Sequence, residues 1–278
     1  MTDLSSWQGQ NLEIEDVVTP AGVQRFYAAL DLQPLPHYAE NNLAPLGFHW
    51  CLCLPDTALS ELGDDGHPQK GGFLPPVPFP RRMWASAKTE FIKPLPIGQS
   101  VKRISTVASI NEKTGKSGSL VFVNVDHETY ASDELAIKEQ QTIVYKEAST
   151  QAMPLPNTDV GPPQGWEVVE ELLPTTPMLF RYSSLTFNSH RIHYDLDYAK
   201  NQEMYPALVM HGPLQATLAL QLAASRGVIK SFSFRGLAPA FCNQPLFLAA
   251  NFDQEQAELA TIGSDGVKRL EAKASYIA

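Results

Sequence analysis

Cysteine is scarce: Cys51, Cys53 and Cys242 are the whole complement. An odd number cannot pair fully, and the spacing is not that of a secreted disulfide framework. Cys51 and Cys53 stand in an apolar stretch without CxxC spacing, so both are expected as buried structural thiols. Basic residues are outnumbered, with a formal net charge of −9, which argues against nucleic-acid binding. No apolar run approaches the roughly 20 residues that span a bilayer. Met1–Trp7 has neither a basic start nor an apolar core, so no signal peptide is expected, and a soluble cytoplasmic protein is. What remains is an ordinary globular composition, 44% hydrophobic and 18% charged over 278 residues. That length suits one large or two modest domains.

Apolar spacing predicts a helix over residues 16–30, and a second over 43–62 interrupted at Pro55. Residues 63–80 turn to Gly, Asp and Pro; a loop of that length in a compact domain is often functional. Residues 101–110, 119–130 and 136–145 are rich in β-branched and aromatic types and predict strands, the first two joined by a turn at 111–118. Residues 148–165 carry Pro154, Pro156, Pro162 and Pro163 and read as a linker. Beyond it, 168–173 leads into a helical stretch around 174–185. Residues 213–225 form a helix too apolar to expose any face. Strands follow at 229–237, 246–253, 256–262 and 267–276.

Two segments echo each other. Pro94 to Val101 and Pro239 to Leu246 both run Pro, then a residue tolerant of positive φ (Gly98, Asn243), then Gln, then a strand. The offset puts the linker between two halves. The expected domains are residues 1–147, a linker at 148–165, and 166–278.

The densest chemistry is Asn188-Ser-His190-Arg191-Ile-His193-Tyr-Asp195, followed by Tyr205-Pro and by His211-Gly212-Pro213. Proton-handling side chains are followed by a Gly-Pro step that opens an apolar helix. Activation of a carbonyl needs this pairing of acid/base groups with a backbone donor. His193 is the first choice for proton transfer, because an imidazole titrates near working pH. His190 and Asp195 are the candidates for a second titrating group. The same three could ligate a metal, but no other zinc spacing accompanies them, and neither metal nor cofactor is expected.

The run Asn188–His193, with Ala199 beyond it, resembles the Asp-x-Asn-Pro-Ile/Leu-His motif of MaoC-like (R)-specific enoyl-CoA hydratases and dehydratases. Within that family the segments 187–195, 205–214 and Pro80-Arg81-Arg82-Met83-Trp84-Ala85 look most like double hot-dog hydratases acting on mesaconyl-C4-CoA or itaconyl-CoA. The resemblance implies an α+β double hot-dog, two antiparallel sheets each wrapped around a helix. It implies a cofactor-independent hydro-lyase, with acyl-CoA as substrate and a homodimer as the assembly. The first half would be a degenerate copy that forms the pocket. His193 keeps the family position, Gly212 is the matched oxyanion donor, and Asn188 stands where the family carries Asp. An amide can orient water but cannot take its proton.

Arg81, Arg82, Lys88, Lys93, Lys102 and Arg103 make a local basic cluster with Glu90 the one acid among them. Arg81 and Arg82, beside Trp84, are candidates for CoA phosphates or a substrate carboxylate. Trp84, Arg191 and His211 are further candidates for substrate binding, and Arg191 and Arg235 are weaker ones for the carboxylate. Lys93, Lys102 and Arg103 are expected on a solvated strand face. The rival functions are a 3-hydroxyacyl-thioester dehydratase of fatty acid synthesis and a non-catalytic acyl-CoA-binding protein.

Overall fold

The computed structural model describes residues 3–115, 118–156 and 160–277. Parts of the expected 111–118 turn and of the 148–165 linker lie outside those residues. The elements run β1 (Asn11–Val17), α1 (Pro20–Leu30), α2 (Pro36–Glu40), β2 (Arg81–Phe91), β3 (Ser100–Gly115), β4 (Gly118–Ala131) and β5 (Glu134–Lys146). They continue with β6 (Val168–Leu172), α3 (Thr176–Leu185), α4 (Leu196–Asn201), α5 (Gly212–Ala224), β7 (Ile229–Gly236), β8 (Leu246–Phe252), β9 (Gln256–Gly263) and β10 (Lys268–Tyr276).

The strands form one ten-stranded antiparallel sheet in the order β1-β3-β4-β5-β2-β7-β10-β9-β8-β6. Each half supplies five strands in the same internal order, and the halves join where β2 pairs with β7, from Ser86↔Arg235 to Glu90↔Ser231. The sheet is therefore continuous across the seam. The echoed segments occupy equivalent places. Gly98 (φ 93°) and Asn243 (φ 59°) both adopt the left-handed conformation. Each donates its N–H at 2.7 Å to the residue before a threonine N-cap: Gly98 to Val18 O, Asn243 to Pro174 O. Thr19 then caps α1 and Thr175 caps α3. The expected helix over 16–30 loses its first residues to β1, whose strand character went unread; it starts at Pro20, pre-set for the first helical turn.

The halves differ at their centres. α5 is almost wholly buried against β7, β8, β9 and β10. Its few polar groups are satisfied: Gln215 accepts from Thr261 Oγ1 at 2.6 Å, Thr217 donates to Pro213 O at 2.8 Å and Gln221 donates to Leu46 O at 2.5 Å. The helix expected over 43–62 is absent. That segment makes only short 3-10 turns at Phe48–Cys51 and Leu59–Glu61. Pro45 and Pro55 interrupt it, and Gly47 (φ 85°) and Cys53 (φ 52°) turn left-handed. The first half thus wraps no continuous helix, and a cavity of about 1710 Å³ opens beside the unwound segment and runs to the N-terminus of α5.

Candidate active site

α5 begins at Gly212 with His211 as its N-cap, and no side chain caps it. The first N–H groups of a helix lack intrahelical partners and carry the positive end of its dipole. Gly212 lines the cavity, so that end faces it.

His193 lies on a short 3-10 turn, 7% exposed. Its Nδ1 is 2.7 Å from Val209 O, so Nδ1 carries the hydrogen and Nε2 keeps the lone pair. Its ring stacks on His211 with centroids 3.6 Å apart and planes 18° from parallel. Burial pushes the His193 pKa down to about 4, against the pull of the Val209 carbonyl. His193 is thus a neutral acceptor at neutral pH. His211 Nε2 lies 2.9 Å from Ser183 Oγ on α3, and its buried Nδ1 has no partner among the described residues. Burial also drives His211 and His190 well down.

Asn188 lines the cavity with its Oδ1 accepting the His190 N–H at 3.0 Å, which leaves the amide NH2 to orient a bound group. His190 also lines it, and its ring meets His193 edge-on at 5.4 Å. Asp195, expected as a second acid/base, is placed elsewhere. It caps α4 by accepting the Tyr198 N–H at 3.0 Å and pairs with Arg191 at 2.7 Å, outside the cavity wall. Those hydrogen bonds hold its carboxyl below the usual range. Arg191 is likewise committed: it lies over the Tyr198 ring at 4.3 Å and donates to Asp64 O at 3.0 Å. Neither is free for the role assigned from sequence, because each is the other's partner.

The arginines of β2 divide. Arg81 is paired with Glu203 and sits 4.7 Å over the Tyr205 ring, so its charge is already matched. Arg82 lines the cavity, donates a long 3.4 Å bond to Pro68 O, and has no carboxylate within ion-pair distance among the described residues. Trp84 also lines the cavity, its indole N–H bonded to Ser86 O at 2.9 Å. Arg235 is exposed on β7 and stays off the cavity wall.

Arg103 is a correction. It turns inward rather than to solvent, donates to Cys53 O, lines the cavity, and leaves its Nε buried without a partner. Lys93 and Lys102 do stay at the surface, paired with Glu134 at 2.6 Å and Glu13 at 3.6 Å. Behind Arg103 lies Glu139, which accepts from Trp50 Nε1 at 2.9 Å and is raised to about 7 by burial. Cys51, pushed up to about 12 by burial, is no ready nucleophile.

Two residues of this site were missed in the sequence. His67, on the 63–80 loop, lines the cavity with its ring 4.2 Å from that of His190. Asp65 Oδ2 is 2.9 Å from His67 Nδ1. The signal available was an Asp and a His in a Gly-rich loop of functional length, with nothing to show where that loop docks.

A continuous sheet of two hot-dog halves brings a buried histidine and a helix N-terminus to one cavity, the fold and site of a double hot-dog protein. The chain belongs to the hydroxyacyl-thioester dehydratase type 2 family, whose model matches residues 47–242. It is 42% identical over 275 residues to the mesaconyl-C(4)-CoA hydratase of Chloroflexus aurantiacus, covering 97% of this chain and 96% of that one. It is 32% identical over 229 residues to the mitochondrial hydroxyacyl-thioester dehydratase type 2 of Schizosaccharomyces pombe, covering 72% and 75%. In fold it matches a MaoC-like dehydratase with a TM-score of 0.75 at 14% identity, over 99% of this chain and 100% of the other. The chain is an enzyme of the hydro-lyase type.

Proposed function

We propose that the protein reversibly adds water to an α,β-unsaturated acyl-CoA thioester, with mesaconyl-C4-CoA as substrate and itaconyl-CoA as its nearest chemical alternative. The observation that carries this reading is His193 at the cavity wall: pinned through Nδ1 to Val209 O at 2.7 Å, it keeps its Nε2 lone pair for a substrate water. The thioester oxygen is received by the Gly212 N–H at the positive end of α5, where enolate charge is stabilised as it develops. Asn188 holds the water or the thioester through its free NH2. His193 takes a water proton as oxygen bonds to Cβ, and the released electron pair moves onto the thioester. Arg82, without a carboxylate partner, receives the free carboxylate of a dicarboxylic acyl group. No cofactor or metal enters these steps. We place the enzyme in the cytoplasm as a homodimer; no helix among the described residues is long and apolar enough to cross a membrane.

One observation favours a second reading, a 3-hydroxyacyl-thioester dehydratase acting on longer neutral chains. The cavity, about 1710 Å³, exceeds the roughly 300–1,000 Å³ of ordinary small-molecule sites. Turnover of mesaconyl-C4-CoA against crotonyl-CoA and a long-chain 3-hydroxyacyl-CoA separates the two. Preference for mesaconyl-C4-CoA supports the first reading, and preference for the long neutral thioester overturns it.

A further inference from the structure

A hydration needs a group to take the proton from water and a source of the proton that reaches Cα. The motif region supplies the first in His193 and leaves the second unassigned. Asn188 cannot carry a proton. Asp195 is bound to the α4 N-terminus and to Arg191. Glu203, on the cavity wall, is matched by Arg81.

The first half delivers a different pair. Its 63–80 loop is docked onto the catalytic segment by hydrogen bonds to its backbone carbonyls. Arg191 N–H donates to Asp65 O at 2.9 Å, Arg191 Nη1 to Asp64 O at 3.0 Å, and Ser189 Oγ to Gly66 O. Gly66 has φ 85°, and a Cβ there would collide with the Ser189 carbonyl. The chain thus passes closer to the motif than any side chain would allow. This places the His67 ring 4.2 Å from that of His190, itself edge-on to His193 at 5.4 Å. Asp65 lies behind, off the cavity wall, bonded to His67 Nδ1 at 2.9 Å and also accepting the His67 backbone N–H at 2.9 Å. The carboxylate fixes ring and tautomer, leaving Nε2 as the exchanging atom on a residue that lines the cavity.

We propose that His67, oriented by Asp65, is the second proton-transfer group of this active site, contributed by the half that lacks the motif. This rests on the hydro-lyase reading above. In hydration, His193 Nε2 takes one proton from water as its oxygen bonds to Cβ. The C=C electron pair moves to the thioester enolate, and as the carbonyl reforms Cα takes a proton from Nε2 of His67, which enters the hydration direction as the imidazolium, with both ring nitrogens protonated. His67 then recovers its proton and His193 loses one, both by exchange with solvent, so the enzyme returns unchanged. Dehydration runs the same steps backward, with His67 as base.

His67 is faced by Asp65 from its own loop, by Arg82 from β2, and by His190 and His193 from the motif segment. Burial, with Arg82 adding to it, holds its pKa below the ordinary histidine value, and the Asp65 carboxylate offsets only part of that lowering. Of the four imidazoles His67, His190, His193 and His211, only His67 has a carboxylate partner among the described residues, so a proton entering the cluster rests there.

The test uses the full-length enzyme, mesaconyl-C4-CoA as probe, and the variants His67→Ala, His67→Gln and Asp65→Asn, with circular dichroism to establish folding. Both His67 variants should lose about 10²–10⁴-fold in kcat, with KM shifted by no more than about threefold. Asp65→Asn should move the alkaline limb of the kcat profile to lower pH, a change that a merely structural loop contact would not cause. A folded His67→Gln enzyme with kcat within about threefold of wild type and an unchanged profile overturns the proposal. So does loss of wild-type activity on chelation that zinc restores, since Asp65, His67 and His190 could then be metal ligands. Imidazole nitrogen NMR without substrate reads the proposal independently of turnover: His67 should take a proton first as pH falls. Protonation of His190 or His193 before His67 overturns it, whereas a wild type inactive on every enoyl-CoA tested sinks the hydro-lyase reading alone.

Discussion

The imidazole of His193 lies flat on that of His211, centroids 3.6 Å apart and 18° from parallel. Two stacked, buried imidazolium ions would repel without water to screen them, so the pair is stable as neutral rings. His193 has its acceptor lone pair whenever it is uncharged, and its pKa is pushed down to about 4. The base therefore stays competent well below the ordinary histidine range of about 6.5. The acid limb of log kcat/KM against pH should fall near pH 4. A limb at pH 6.5 would contradict the geometry.

Stability should also depend on acid, with a sign set by the buried groups. His49 and His127 are lowered to about 3 and His193 to about 4, chiefly by burial. Unfolded histidines bind protons below about pH 6.5 and these folded ones do not, so stability falls as pH drops from 6.5 toward 4. Glu139 acts oppositely: raised to about 7, it holds its proton in the folded state and loses stability as pH rises from about 4.5 through 7. Where the windows overlap three histidines outweigh one carboxyl, so denaturant midpoints should rise up to about pH 6.5 and decline from there through 7. Glu139→Gln should remove the alkaline decline, as midpoints from pH 5 to 8 would show.

Gly66→Ala tests the loop docking. A methyl group there meets the Ser189 carbonyl, at a left-handed backbone position. Displacement of the loop should cost roughly 1–3 kcal/mol. Turnover should fall together with thermal stability, because His67 moves with the loop. A variant matching wild type in both would show that the loop does not hold the site.

Arg82→Met should raise KM for mesaconyl-C4-CoA by about 10–100-fold, the loss expected when one charge-assisted contact of about 1.5–3 kcal/mol is removed. Crotonyl-CoA, without the second carboxylate, should lose far less. Arg81→Met should show no such selectivity, since Arg81 is matched by Glu203. Equal losses on both substrates for Arg82→Met would assign Arg82 to the CoA portion instead.

Much of the frame was legible because its determinants are local. Strands β3, β4 and β7 to β10 carry the β-branched and alternating patterns that predicted them. α5 is apolar all round because sheet covers it. Gly98 and Asn243 revealed the internal repeat because a left-handed turn restricts residue type. The rest depends on distant partners. Asp195 looked like an acid/base until Arg191 and the α4 N-terminus claimed it. Arg103 reads like its surface neighbour Lys102, but successive side chains of β3 take opposite faces, and that of Arg103 meets Cys53 O from the distant 43–62 segment. The 43–62 segment has a helix's apolar content, but its prolines and left-handed turns unwind it. His67 and Asp65 join His190 because Arg191 and Ser189 bond to loop carbonyls more than a hundred residues away in sequence, and no spacing encodes that meeting.

Replacement of His193 removes the proposed base and leaves the rest of the cavity in place. His193→Gln and His193→Ala are assayed with mesaconyl-C4-CoA by the absorbance of the conjugated thioester, with folding established by circular dichroism. With His193 as the base that takes the water proton, both variants keep their fold and lose about 10²–10⁴-fold in kcat. A folded variant with turnover within about threefold of wild type would show that the proton goes elsewhere.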